Sequence, residues 1–145
     1  MAVSRVTSVP AADPVAAAEH FARRLAHETD PSDVQHDLAE GLGGFVVVDT
    51  RSPEAYARAH IPGAVNLPHR DMTSATVAEV LPDGAVAVTY CWGPHCNAAT
   101  KGALALGRLG RPVKEMAGGI EGWEKDGYTL VAGPHPGAFT DRDGG

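Results

Sequence analysis

Residues Val86–Gly110 read VAVTYCWGPHCNAATKGALALGRLG. An uninterrupted apolar run, Ala85 to Tyr90, ends at Cys91, passes through a short loop containing Gly93 and Pro94, and becomes a small-residue helical pattern from about Asn97. The pattern predicts strand, loop and helix, with a thiol at the first bend. A loop feeding a helix N-terminus turns several backbone N–H groups into one concavity, where the helix adds positive potential. The donors on offer are the amides of Trp92, Gly93, His95, Cys96 and Asn97, whereas Pro94 has no N–H. Such a cradle should lower the pKa of Cys91 and make it a nucleophile, because the thiolate is the reactive form. The alternative is a buried strand-end cysteine that behaves as a small hydrophobe.

With 145 residues, 43% of them hydrophobic, the chain can build one ordinary core but not a second full domain. The expected organisation is an N-terminal arm and helix over 1–30, a domain over 31–132 and a flexible tail over 133–145. A net charge of -6 and a pI near 5.5 argue against nucleic acid or an anionic membrane as the main partner. The first residues lack the apolar core of a signal peptide and no run approaches a membrane span, so a cytoplasmic location is expected. Both cysteines fall in one loop, which favours catalytic, redox or metal use over a secreted disulfide framework.

Along the chain, 1–12 reads as a mobile arm. Asp13 and Pro14 form a helix start, with Val15, Phe21, Leu25 and several alanines giving an amphipathic helix to about Glu28. Its apolar side is expected to pack on the core; it is also the candidate surface for a protein acceptor or a homodimer. Thr29 to Ser32 reads as a turn before a short helix carrying Val34 and Leu38. Phe45 to Val48 is a fully apolar strand of the kind buried on both faces of a parallel sheet, with Asp49 at its carboxyl end. A helix over Pro53 to Ala59, a very short strand over Ala64 to Asn66 and a helix over Ser74 to Leu81 precede the strand already described. A last strand, Val113 to Met116, then a turn at Gly118 and Gly119 and a helix over Ile120 to Lys125 complete the pattern. Glycines 102 and 107 in the helix after the loop weaken it but permit close approach to a sheet. Alternation with short connections predicts an α/β fold: an open parallel β-sheet flanked by helices on both faces, with an extra N-terminal helix. Such folds carry their sites at the carboxyl ends of strands, where Asp49 and Cys91 both fall.

Asp49-Thr50-Arg51-Ser52-Pro53-Glu54 with Tyr56, His60-Ile61-Pro62-Gly63-Ala64 with Asn66 and Pro68, Tyr90-Cys91, and Gly118-Gly119 with Trp123, Gly127 and Tyr128 together resemble a rhodanese-type sulfurtransferase domain from about Pro31 to Leu130. The resemblance implies a rhodanese-like sheet with the cysteine loop at its carboxyl edge. It also implies that Cys91 attacks the sulfane sulfur of a donor such as thiosulfate or a thiol persulfide. The sulfur is then held as a persulfide and passed to a nucleophilic acceptor, cyanide or a thiol, with no metal or organic cofactor. Substrate contacts then fall to Trp92, Gly93, His95, Cys96 and Asn97.

The loop departs from the family in lacking arginine or lysine. His95 adds charge only when protonated, and Trp92 offers a bulky apolar wall. Asp49 and Arg51 read as local caps and an ion pair that could also orient the loop, and His69 and Arg70 as candidate anion contacts. His60 reads as a structural histidine. Cys96 supports a redox-sensing or non-catalytic interaction module as the alternative, in which a disulfide resolves a sulfenic acid or persulfide at Cys91. A metal site from Cys91, His95 and Cys96 falls short of the four ligands of structural zinc. A phosphatase of related fold would place arginine where this chain has Asn97, and without that fork phosphoryl transfer loses its main charge stabiliser.

Overall fold

The computed structural model describes residues 1–139. Helix α1 spans Pro14–His27, β1 Glu28–Thr29, α2 Pro31–Ala39, β2 Phe45–Asp49, α3 Pro53–Arg58 and β3 Val65–Asn66. After a 3-10 turn at His69–Asp71 come α4 Ser74–Val80, β4 Val86–Tyr90, α5 Ala98–Arg108, β5 Val113–Met116 and α6 Gly119–Lys125. Every strand pair is parallel and the sheet order is β1-β5-β4-β2-β3.

Strand periodicity builds two cores. Along β2 and β4, adjacent residues point to opposite faces. Val47 and Val88 join Val34 of α2, Tyr56 of α3 and Trp123 of α6 on one side. Val48 and Ala87 join Val77 of α4 and Leu106 of α5 on the other. Each fully buried large apolar side chain contributes about 1.5–3 kcal/mol, so the central strands anchor the domain from both faces. Helix starts follow the sequence: Asp13 accepts from the amides of Val15 and Ala16, and Ser52 from Ala55, each ahead of a proline at the first helical position. Gly102 lets α5 lie close to the sheet, since a Cβ there would sit 2.9 Å from Thr50 Cγ2, whereas one at Gly107 would meet nothing within 4 Å.

Three local expectations are corrected. No residue of α1 is buried, and Phe21 and Leu25 are 54% and 72% exposed. Both sheet faces are already covered by the other helices, which leaves α1 beside the sheet edge, where Lys114 Nζ donates to the Leu25 carbonyl at 3.0 Å. The expected turn at Thr29 is instead entered through an edge strand, as Glu28 and Thr29 pair with Glu115 and Met116. The flexible tail expected from Gly133 begins fastened: Gly133 N donates to Ala57 O at 2.7 Å, and the Pro136 carbonyl accepts from Gly63 N at 2.8 Å. The rest of that tail, 140–145, lies outside the described residues. Among the described residues, no helix is long and apolar enough to cross a membrane.

Candidate active site

The carboxyl ends of β2 and β4 lie side by side, with Asp49 in register with Tyr90. Thr50 locks the two ends together, donating to the Tyr90 carbonyl from its backbone N at 3.0 Å and its Oγ1 at 2.8 Å. The chain then turns through Cys91–Asn97 into α5. Cys91 is buried, Cys96 is half-buried and Trp92 stands 47% exposed.

Two groups of residues hold this loop. On one side, α6 begins against it: Ile120 N donates to Cys91 O at 2.8 Å and Glu121 N to Trp92 O at 2.9 Å. That approach depends on Gly119, whose φ is +59° and whose Cβ, were there one, would lie 2.6 Å from Cys91 O and 2.7 Å from Gly93 N. On the other side is a buried ion pair. Arg51 donates to Asp49 from its backbone N at 2.9 Å, from Nε at 3.1 Å and from Nη2 at 2.8 Å. Tyr90 Oη donates to the same carboxylate at 2.6 Å and accepts from Ile61 N at 3.1 Å. The Arg51 guanidinium lies 4.5 Å from the Trp92 ring centroid, so this network reaches the loop itself. Burial opposes the charge of Arg51, but its bonds to Asp49 prevail and raise its pKa. Burial, reinforced by the Asp49 charge, keeps Tyr90 a phenol far above its ordinary range.

The thiols form a pair. Cys91 Sγ donates to the Cys96 carbonyl oxygen at 3.2 Å, and both residues line one cleft. Burial first, and then Cys96, push the Cys91 thiol up to about 11, although backbone N–H groups of Ala99 and Trp92 favour its anion. Cys96 behaves oppositely. Burial works against its ionisation, but the bond with Cys91, the N–H groups of Ala98 and Trp92 and the charge of Arg51 outweigh it, and the thiol lies below its ordinary value. The shift at Cys91 thereby runs opposite to the expected lowering, because burial outweighs the helix amides. The donor set is corrected too. Cys96 N is engaged with Gly93 O at 3.1 Å, while the first-turn amides of Ala98 and Ala99 face the sulfurs. Placing the helix start near Asn97 was the available signal, since the first amides of any helix are unpaired.

The remaining candidates separate into two clefts. Cys91 opens with His95, Cys96 and Asn97 onto one of about 350 Å³, bordered by Glu28 and Glu115. Arg51, His69, Arg70 and Trp92 line a second of about 220 Å³, which Cys96 also reaches. Gly93 lines neither; it packs against Glu121, whose Oε2 would lie 2.5 Å from an added Cβ. His60 is structural in its surroundings, stacked on Tyr56 at 3.7 Å with Nδ1 2.8 Å from Tyr56 O and Nε2 3.0 Å from Pro136 O. Among the described residues no group of three or more His, Cys, Asp or Glu side chains is gathered as a metal site.

Comparison with known proteins fits this geometry. The BH2092 protein of Bacillus halodurans has a crystal structure that superposes with a TM-score of 0.80 at 40% identity, covering 84% of this chain and 88% of that one. Thiosulfate sulfurtransferase 16, chloroplastic, of Arabidopsis thaliana is 30% identical over 111 residues, which cover 68% of this chain and 88% of that protein. A Mycobacterium tuberculosis protein, the HTH-type transcriptional regulator Rv0324, is 33% identical over 91 residues, 63% of this chain but only 39% of the regulator's length. Residues 31–126 match the model of the rhodanese-like domain, and with the cysteine loop at the carboxyl edge of a five-stranded parallel sheet the chain belongs to the rhodanese-like domain family.

Proposed function

We propose that the protein is a sulfurtransferase that carries sulfane sulfur as a persulfide on Cys91, taking it from thiosulfate or a thiol persulfide and giving it to cyanide or a thiol. The observation that supports this most is the setting of Cys91: it stands at the carboxyl end of β4, opens on a cleft, and has the amides of Trp92 and Ala99 facing its sulfur. A small donor in the cytoplasm, and a small or protein-borne thiol as acceptor, go with this reading. The thiosulfate sulfurtransferase relative points the same way.

In the first half-reaction the Cys91 thiolate attacks the outer sulfur of thiosulfate, the new S–S bond forms, the old one breaks, and sulfite leaves with the electron pair. In the second, the acceptor attacks the terminal sulfur of the persulfide and Cys91 departs as thiolate. Amide dipoles directed at the sulfur are worth most where negative charge gathers in each step. With the thiol at about 11, little thiolate is present at neutral pH, so persulfide formation should accelerate as pH rises.

The test is transfer from thiosulfate to cyanide by Cys91→Ser, a substitution that barely changes volume. Loss of transfer in a variant with wild-type circular dichroism is expected. Substantial turnover by that folded variant would overturn the assignment of Cys91.

A further inference from the structure

The sulfurtransferase reading uses Cys91 and leaves a second nucleophile against it. We propose that Cys96 is a resolving thiol: it attacks the Sγ of the Cys91 persulfide, closes a Cys91–Cys96 disulfide and expels hydrosulfide, so that the site also reduces sulfane sulfur to sulfide. This rests on the persulfide forming at Cys91.

Placement carries the argument. Both residues sit on one tightly held loop and line one cleft, with Cys91 Sγ 3.2 Å from the Cys96 carbonyl oxygen. Residue 96 is thereby held beside Cys91 Sγ, the atom attacked in disulfide closure. Attack on the outer sulfur would instead only move the persulfide and expel the Cys91 thiolate. Of the two leaving groups hydrosulfide is the better, because it is the base of a stronger acid than the Cys91 thiol, which burial and Cys96 hold at about 11. The attacking partner is favoured as well, because the N–H groups of Ala98 and Trp92 help Cys96 to ionise.

The step balances. Cys96–S⁻ and Cys91–S–SH give Cys91–S–S–Cys96 and HS⁻; over persulfide formation and closure together, the two cysteine sulfurs lose the two electrons that reduce the sulfane sulfur to hydrosulfide. No oxidant beyond the sulfur donor is needed. Turnover requires a dithiol or two equivalents of a monothiol to reopen the disulfide. Cys96 alone of the pair lines the cleft with Arg51, His69 and Arg70, so the reductant has its own approach, on the cationic side.

The reduced full chain, freed of thiols, is treated with thiosulfate, and sulfide, intact mass and free thiols are followed for wild type, Cys96→Ser and Cys96→Ala. Wild type is expected to release one equivalent of sulfide, lose two hydrogens in mass and both free thiols, with no such change when donor is omitted. Both variants are expected to gain one sulfur atom on Cys91 and release none. A wild-type protein that keeps the added sulfur, releases no sulfide and retains an alkylatable Cys96 overturns the resolving role while leaving sulfur transfer standing. So does a disulfide that forms equally without thiosulfate. If neither wild type nor the variants take up sulfur or release sulfide, the persulfide reading fails, and the resolving role with it.

Discussion

Gly119→Ala should distort the cysteine loop without touching it chemically. The new Cβ would lie 2.6 Å from Cys91 O, 2.7 Å from Gly93 N and 2.7 Å from Trp92 C, all backbone atoms that no rotamer change can move aside. The left-handed φ of +59° adds its own penalty for a residue with a Cβ. Left-handed strain of about 1–2 kcal/mol and overpacking of about 1–3 kcal/mol, less the ~0.4–1 kcal/mol that alanine removes from unfolded-chain entropy, leave a loss of roughly 2–4 kcal/mol. At the few degrees per kcal/mol usual for a domain of this size, Tm should fall by about 5–15 °C. Relief of the overlap displaces the loop by about 1 Å, and a misplacement of that size can cost ~100-fold in rate. Gly107→Ala is the control of opposite sign: it is exposed, helical and free of neighbours within 4 Å, so Tm should rise, by roughly 0.5–1 kcal/mol of stability. The assays are a calorimetric melt and thiosulfate-to-cyanide transfer. A Gly119→Ala protein with wild-type Tm and rate would refute the claim that α6 sets the loop by close approach.

Asp49→Asn should lower the urea midpoint by an amount equal to about 3–5 kcal/mol, because it leaves Arg51, only 2% exposed, as an uncompensated buried cation; an unchanged midpoint would mean the pair is dispensable. Cys96→Ser should shift the alkylation profile of Cys91 with iodoacetamide to lower pH, since Cys96 is one of the two main reasons the Cys91 thiol lies near 11. Burial remains in that variant, so the shift should be partial; a profile that stays put or moves up would refute the coupling. His95→Arg should tighten thiosulfate binding, because it places a permanent cation on the cleft that Cys91 faces. If KM for thiosulfate is unaltered, residue 95 does not meet the donor.

Most of the fold was legible because its signals are local. Continuous apolar runs marked β2 and β4, and Asp13, Ser52 and the prolines behind them marked helix starts. Strand β1 was not, since two residues of an edge strand show no alternation to read. The exposed apolar side of α1 could not be foreseen either: periodicity says which side is apolar, whereas burial depends on whether a sheet face is still vacant. At the candidate site, the positions of Asp49 and Cys91 at the carboxyl ends of two strands were readable from the apolar runs that precede them. The sign of the Cys91 shift was missed, because helix amides are visible in a sequence whereas the burial that outweighs them is a tertiary fact. The stacking of Arg51 on Trp92 was equally hidden, as the two lie on different strand ends brought together by the β2–β4 register.

That stacking bears on which donor suits the site. The loop lacks its own cation, and the nearest buried one, Arg51, has its charge balanced by Asp49 and its face covered by Trp92. His69 and Arg70 line the cleft that Cys96 reaches and Cys91 does not. The cleft in front of Cys91 is bordered instead by Glu28 and Glu115, whose carboxylates are held by Arg24 Nε at 2.7 Å and Thr100 Oγ1 at 2.7 Å. Only the first of these partners carries charge, so Glu115 keeps its negative field toward an incoming anion. A dianion feels that field twice as strongly as a monoanion, and it has amide dipoles but no fixed cation to offset it. If Cys91 carries sulfur as proposed, this arrangement would suit a thiol persulfide better than thiosulfate as its donor, and would put the Arg70 cation where a reductant or acceptor meets Cys96.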